Sequence, residues 1–255
     1  MPCLHPRPDT DIAALAREYD RSGFILVERH LEDSNLAEAN AAVAWAFDRA
    51  GDRYALIRQR TYEWFREHPV FVRLLVDPVV IALARRILGP DFHVVAAQCS
   101  RNTRAEHYAL SATNLHQDKG FFPPPRRMRP EVPPHHYGFS AMYFMQDTPR
   151  EMGPTELFQA SHLEEHPHVD EDLDAGQPWV AAVPAGSLLI FSHRTWHRGA
   201  FNHTDRPRDL ITNAYARREV DKVQLTTKQA DGSEAYVPCR ELLNDPDPLV
   251  QQLLG

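Results

Sequence analysis

The stretch GSLLIFSHRTWHRGAFNHTDRPRDLITNAYARR, residues 186–218, decides what kind of fold this chain adopts. Gly186 opens an apolar run of the length expected for one buried strand. The far end alternates, with Leu210, Thr212, Ala214 and Ala216 on one side. Between the two lie polar residues, a glycine and a proline, with no helical period. Two strands therefore follow one another without the crossover helix that a parallel βαβ unit requires.

Further strands are predicted on the N-terminal side of this stretch. FHVVAAQCS (92–100), EHYALSATNLHQD (106–118), YGFSAMYFM (137–145), GPTELF (153–158) and WVAAV (179–183) are β-prone segments set off by Gly and Pro. Before residue 91 the texture is helical. Helical spacing covers residues 11–20, 36–50, 62–75 and 78–88, the last stopped by Gly89-Pro90, and GFILVER (23–29) is a short strand among them. The expected architecture is mostly β with N-terminal helices. A helical buttress over about residues 1–90 precedes a double-stranded β-helix barrel, jelly-roll and cupin-like, over about 91–240, in one domain spanning 1–255. The acidic run EEHPHVDEDLDAGQP (164–178) is read as a solvated excursion.

With 43% hydrophobic residues the chain can close one large core, and a net charge of -7 argues against a nucleic-acid surface. No apolar run is long enough to span a membrane, and no signal peptide is visible at the N-terminus. Three scattered cysteines, Cys3, Cys99 and Cys239, suit free thiols in the cytoplasm. The sequon at Asn202 then carries no glycosylation meaning.

Fourteen histidines exceed the ordinary share, so spacing rather than number must identify a site. In LHQDK (115–119), a strand would turn His116 and Asp118 to the same face, where an imidazole and a carboxylate reach one metal. A third ligand has two candidates, His193 and His197. Two histidines and one carboxylate form the ligand set of non-haem Fe(II) oxygenases, in which open positions take cosubstrate and O₂. Zinc fits less well: a structural site has four protein ligands, and the glutamate of H-E-x-x-H is missing from HRTWH. Arg208, eleven residues beyond His197, offers a planar fork for a carboxylate; Arg206 and Arg217 are its neighbouring alternatives.

The ordered set His116-x-Asp118, His197, Arg208 resembles the phytanoyl-CoA dioxygenase family of Fe(II)/2-oxoglutarate oxygenases. YDRSGFILVERHL (19–31) is similar to the family's opening helix and strand. MQDTPREMGPTELFQASH (145–162) resembles its Gly-Pro turn and Ser-His ending, and residues 186–208 its Trp-His motif and Asn-x-(Ser/Thr)-x-Arg-Pro-Arg turn. Two departures stand out. Gln159-Ala160 replaces the usual Pro-Gly before Ser161-His162, and the strand around Met142 lacks a tryptophan often found there. The resemblance implies that His116, Asp118 and His197 hold Fe(II) and act in catalysis. It implies also that Arg208 pairs with the far carboxylate of 2-oxoglutarate and that O₂ is the oxidant. Asp118, which a halogenating relative would replace by a small residue, implies hydroxylation, or desaturation or ring formation initiated the same way; the substrate expected is a free small metabolite, with an acyl thioester as the second choice. A redox-inert metal barrel, an isomerase or a binding module, is the rival; it needs no second anchor such as Arg208.

Gln98 is placed on the barrel wall toward cosubstrate or substrate, and Lys119 and Phe122 at the site mouth. Phe121, Phe122 and three prolines suit a lid that excludes water. Lys119, Arg126, Arg127 and Arg129 form a basic run that either is simply solvated or steers an anionic substrate. The histidines at 135, 136, 162, 166 and 168 are expected to be exposed or structural.

Overall fold

Asp11 opens the first helix, α1 (Ile12–Ser22), by accepting a hydrogen bond from Ala14 N at 2.9 Å. Gly23 closes it in the left-handed region at φ 84°, and a Cβ there would stand 2.5 Å from His162 Nδ1. Glycine is thus required twice over, by backbone and by neighbour. The chain passes straight into β1 (Phe24–Val27). This computed structural model describes residues 10–50, 56–58, 67–104, 115–163, 177–222, 227–228, 234–235 and 244–254.

Helices α2 (Asp33–Ala50), α3 (Val70–Leu75) and α4 (Pro78–Ile87) complete the N-terminal layer. Asp77 caps α4 by accepting from Val79 N at 2.9 Å, and Pro78 takes the first turn, where its missing N–H costs nothing. Of the helix expected over 62–75, residues 62–66 lie outside the described residues, residues 68–69 are not helical, and the helix that follows runs from Val70 to Leu75.

The strands are β2 (Leu56–Arg58), β3 (Phe92–Asn102), β4 (Gly138–Phe144), β5 (Thr155–Leu157), β6 (Trp179–Val180), β7 (Leu188–Ser192), β8 (His197–Gly199) and β9 (Arg208–Arg217). Five of them join β1 in one antiparallel sheet of order β1-β7-β4-β9-β3-β2, and three form another in the order β6-β5-β8. A two-stranded pair, β10 (Thr227–Lys228) with β11 (Glu234–Ala235), and a closing helix, α5 (Pro248–Leu254), follow. The fold is therefore mostly β with helices packed on it, as the strand spacing predicts. Among the described residues no helix is long and apolar enough to cross a membrane.

Side-chain alternation divides the large sheet into two faces. On one, Ile211 and Tyr215 of β9, Ala141 and Tyr143 of β4 and Ile190 of β7 join the helices in the main core. Tyr215 and Tyr143 donate their hydroxyls to Leu75 O at 2.9 Å and Leu74 O at 3.1 Å, and Tyr143 also reaches Asp77 Oδ2 at 3.2 Å. Burying each ring stabilises by about 1.5–3 kcal/mol, and the hydroxyl bonds fix where the α3–α4 junction sits. The other face is the interior. It carries an apolar cluster around Phe144, Leu189, Phe191 and Leu210 and another around Val95, Ala96, Ala214 and Ala216. Between these clusters the phase brings in polar residues: Ser140, Thr212 and Gln98.

One local expectation changes. Residues 115–119 are no strand: His116 makes an isolated antiparallel bridge to His197, and Asp118–Gly120 is a 3-10 turn. The turn forms because Asp118 O accepts from both Phe121 N and Phe122 N. β8 and α5, with three and seven residues, were too short for periodicity to reveal. Residues 106–114 of the expected strand and 164–176 of the acidic run lie outside the described residues. Asn202 is fully buried, so its side chain is no glycan acceptor; it bonds Asn102 O and Arg206 O.

Candidate metal centre

Reciprocal backbone bonds, His116 N to His197 O and back, both at 3.0 Å, set the two imidazoles side by side with ring centroids 4.3 Å apart. The 3-10 turn then swings Asp118 into the same space. Lys119 N donates to His193 O at 2.8 Å, which pins that turn to the loop before β8. Asp118 Oδ1 lies 3.8 Å from His116 Nε2 and 3.6 Å from His197 Nε2, and the three ligand-type atoms fall within 4.8 Å of one another. Ligands bound to one ion at about 2.0–2.2 Å require a separation of this order. The trio expected from the sequence is thus assembled, although by a bridge and a turn rather than by one strand.

Its surroundings suit a ligand set. His197 Nδ1 donates to Thr195 O at 2.9 Å, which orients the ring and leaves Nε2 its lone pair. Burial pushes the His197 imidazole below its ordinary value, favouring the neutral ring. Burial pushes the Asp118 carboxyl up, but the facing rings of His197, His193 and His116, with the Ser140 hydroxyl, outweigh it and hold the carboxyl below its usual range. Ser140 Oγ donates to Asp118 Oδ2 at 2.8 Å, leaving Oδ1 toward the histidines. Exposure is uneven: the His197 side chain is 7% exposed, Asp118 13% and His116 32%, so the centre opens to solvent past His116.

His193, the other candidate third ligand, stands outside the trio. Its ring packs on Phe122 at 4.8 Å, and a Cβ at Gly138 would lie 2.3 Å from its Nδ1. Burial lowers its imidazole to about 4. Arg208 begins β9, is 3% exposed, and lies opposite Asn102 of β3 on the interior phase. Asn102 in turn donates to Ala200 O at 3.0 Å, tying the end of β8 to β3, the strand paired with the one that carries Arg208. Arg217 falls on the opposite phase and bonds Leu88 O, and Arg206 is exposed.

Gln98 is half-buried on the interior face, opposite Thr212. Phe122 is buried in the cluster with Val95, Ala96 and Ala214, while Phe121, 50% exposed, stands edge-on to His116 at 5.7 Å. Lys119 is partly buried beside the trio; Arg126 and Arg127 are exposed, and Arg129 pairs with Glu219 at 2.6 Å. Sequence reasoning did not single out Ser140. The signal was present, since Ser140 is the polar residue on the inward phase of YGFSAMYFM.

A family model described as phytanoyl-CoA dioxygenase matches residues 19–210. Solved structures share the fold at low identity. The non-haem α-ketoglutarate-dependent carbocyclase SnoK from nogalamycin biosynthesis is 18% identical, with a TM-score of 0.66 over 86% of this chain and 88% of that one. The epimerase SnoN of the same biosynthesis is 22% identical, with a TM-score of 0.62 over 81% and 83%. AviO1 from Streptomyces viridochromogenes is 18% identical, with a TM-score of 0.64 over 84% and 99%.

Proposed function

Because the chain belongs to the phytanoyl-CoA dioxygenase family, whose members use Fe(II) and 2-oxoglutarate, we propose that it oxidises an unactivated C–H bond of a small metabolite, most simply by hydroxylation. The observation that carries this reading is the convergence of His116, Asp118 and His197 within 4.8 Å. The two sheets are read as the walls of a jelly-roll barrel around that point. When bound, the ferrous ion and the keto diacid supply O₂ activation coupled to decarboxylation, the chemistry this ligand set supports.

The chain's own residues do the rest. His116, Asp118 and His197 would hold the metal, with Thr195 O and Ser140 Oγ setting the orientation of two of them. Arg208, buried on the same interior phase, would meet the far carboxylate of the diacid with two parallel hydrogen bonds. Gln98 and Thr212 line the wall between. The apolar interior clusters keep bulk water from the polar centre, and Phe121 borders the side left open at His116. Asp118 fills the position that halide would need, which favours oxygen transfer, desaturation or ring formation over halogenation. The carbocyclase and the epimerase among its structural relatives support a biosynthetic intermediate as substrate.

Anaerobic addition of Fe(II) and 2-oxoglutarate should give a visible charge-transfer band near ~500 nm, as expected for a keto acid chelating a facial-triad iron. With O₂, succinate should form when a substrate panel is offered. Arg208→Gln should keep the iron and lose the diacid, raising its KM by at least tenfold while Fe(II) affinity holds. A protein that binds Fe(II) but shows neither the band nor succinate release would be a redox-inert metal barrel.

A further inference from the structure

Outside the trio, one other group of ligand-type side chains converges among the described residues: Asp20, at the end of α1, with His135 and His136 in the 3-10 turn that precedes β4. We propose that these three hold a second divalent transition metal, of the zinc class, that clamps α1 to this turn. With three protein ligands it leaves the fourth position to water, so it is an open site rather than a closed four-ligand one, and it is independent of the proposed oxidation.

His136 Nε2 lies 2.6 Å and His135 Nε2 3.4 Å from the same oxygen, Asp20 Oδ1. Zinc bonds of about 2.0–2.2 Å at tetrahedral angles set neighbouring ligand atoms about 3.3–3.5 Å apart. The His135–Asp20 separation is already of that size, and His136 needs to open by less than about 1 Å, which the half-exposed Asp20 side chain can supply. Both imidazoles turn Nε2 to that one oxygen, and the His135 side chain is only 11% exposed.

The donors stand on a backbone held from several sides. Tyr19 Oη donates to His135 O at 2.8 Å, His162 Nε2 meets Asp20 O at 3.0 Å, and His136 N bonds Pro133 O at 2.8 Å. Pro133 and Pro134 restrict the turn further. Imidazole with carboxylate suits zinc, and the divalent series places zinc above ferrous iron at such a site. Water completes the shell on the side where Asp20 is half exposed. The turn so clamped leads directly into Gly138, against which His193 packs, and Ser140, which holds Asp118.

Metal-stripped full-length protein, titrated with Zn(II) and dialysed, tests the site by bound equivalents. Wild type should retain two. The double variant Asp20→Asn/His136→Gln, both near-isosteric and at the surface, should retain one and keep its far-ultraviolet circular dichroism. His116→Ala/Asp118→Ala should also retain one, and that one should still raise the melting temperature. Combining all four changes should leave none. Two equivalents kept by Asp20→Asn/His136→Gln, or none kept by His116→Ala/Asp118→Ala, would overturn the proposal. Failure of the oxidation chemistry leaves these counts unchanged, so the two conclusions fall separately.

Discussion

Replacing Ser140 by alanine removes a single hydrogen bond to an ionised carboxylate and little else. Ser140 is 1% exposed, so water cannot easily take the place of its hydroxyl, and the lost contact is 2.8 Å long to Asp118 Oδ2. A bond of this charged type contributes about 1.5–3 kcal/mol. Taking about 2 kcal/mol, and about 1.4 kcal/mol per factor of ten, the Fe(II) dissociation constant should rise about 30-fold. That lies inside the 10–100-fold effect expected when a partner orienting a metal ligand is removed. Anaerobic calorimetric titration of Fe(II) into the stripped wild type and variant measures it, with urea unfolding as a control for the fold. The metal-free variant should unfold cooperatively, with a free energy lower by no more than that bond's contribution of about 1.5–3 kcal/mol. An affinity within threefold of wild type would refute the assignment of Oδ2 to Ser140 and of Oδ1 to the metal.

Asp77 is fully buried and serves three partners at once: the α4 cap, His30 Nε2 at 2.6 Å and Tyr143 Oη at 3.2 Å. Asp77→Ala should cost about 3 kcal/mol in urea unfolding, from the cap and from stranded donors together; a cost below 1 kcal/mol would show that the network carries no stability. Ala160 sits at φ 61°, the position where the family's turn has glycine, so Ala160→Gly should gain about 0.5–1 kcal/mol in the same assay without changing iron affinity. His93 is held neutral: burial, then Lys222 and Arg218, lower it to about 4, while its Nε2 donates to Val220 O at 2.7 Å. The unfolded chain binds this proton below pH ~6.5 and the folded chain only near 4, so stability falls as pH drops through that window. The slope attributable to it is at most one proton, about 1.4 kcal/mol per pH unit, and His93→Gln should remove it; an unchanged slope between pH 7.5 and 5 would reassign the acid sensitivity.

Ser140 and Phe122 mark where one-dimensional reasoning stopped. Strand-like periodicity gave the sheet, because a two-residue alternation is a local property that survives any later packing. It also placed Arg208 on the same phase as Leu210, Thr212, Ala214 and Ala216, and β9 keeps that phase. Short elements escaped, since the three residues of β8 and the seven of α5 hold too few periods to register.

Residue type and order singled out His116 and Asp118, with His193 or His197 as the third candidate ligand, and the resemblance to the family favoured His197. Which histidine closes the trio, and how Asp118 reaches it, depended on a cross-strand bridge between residues 81 positions apart and on a 3-10 turn closed by Phe121 and Phe122. Likewise the meeting of Asp20 with His135 and His136 joins segments separated by over a hundred residues, so no local pattern announces it. Composition and phase are properties of neighbours along the chain, whereas coordination is a property of neighbours in space, and only the closed fold relates the two.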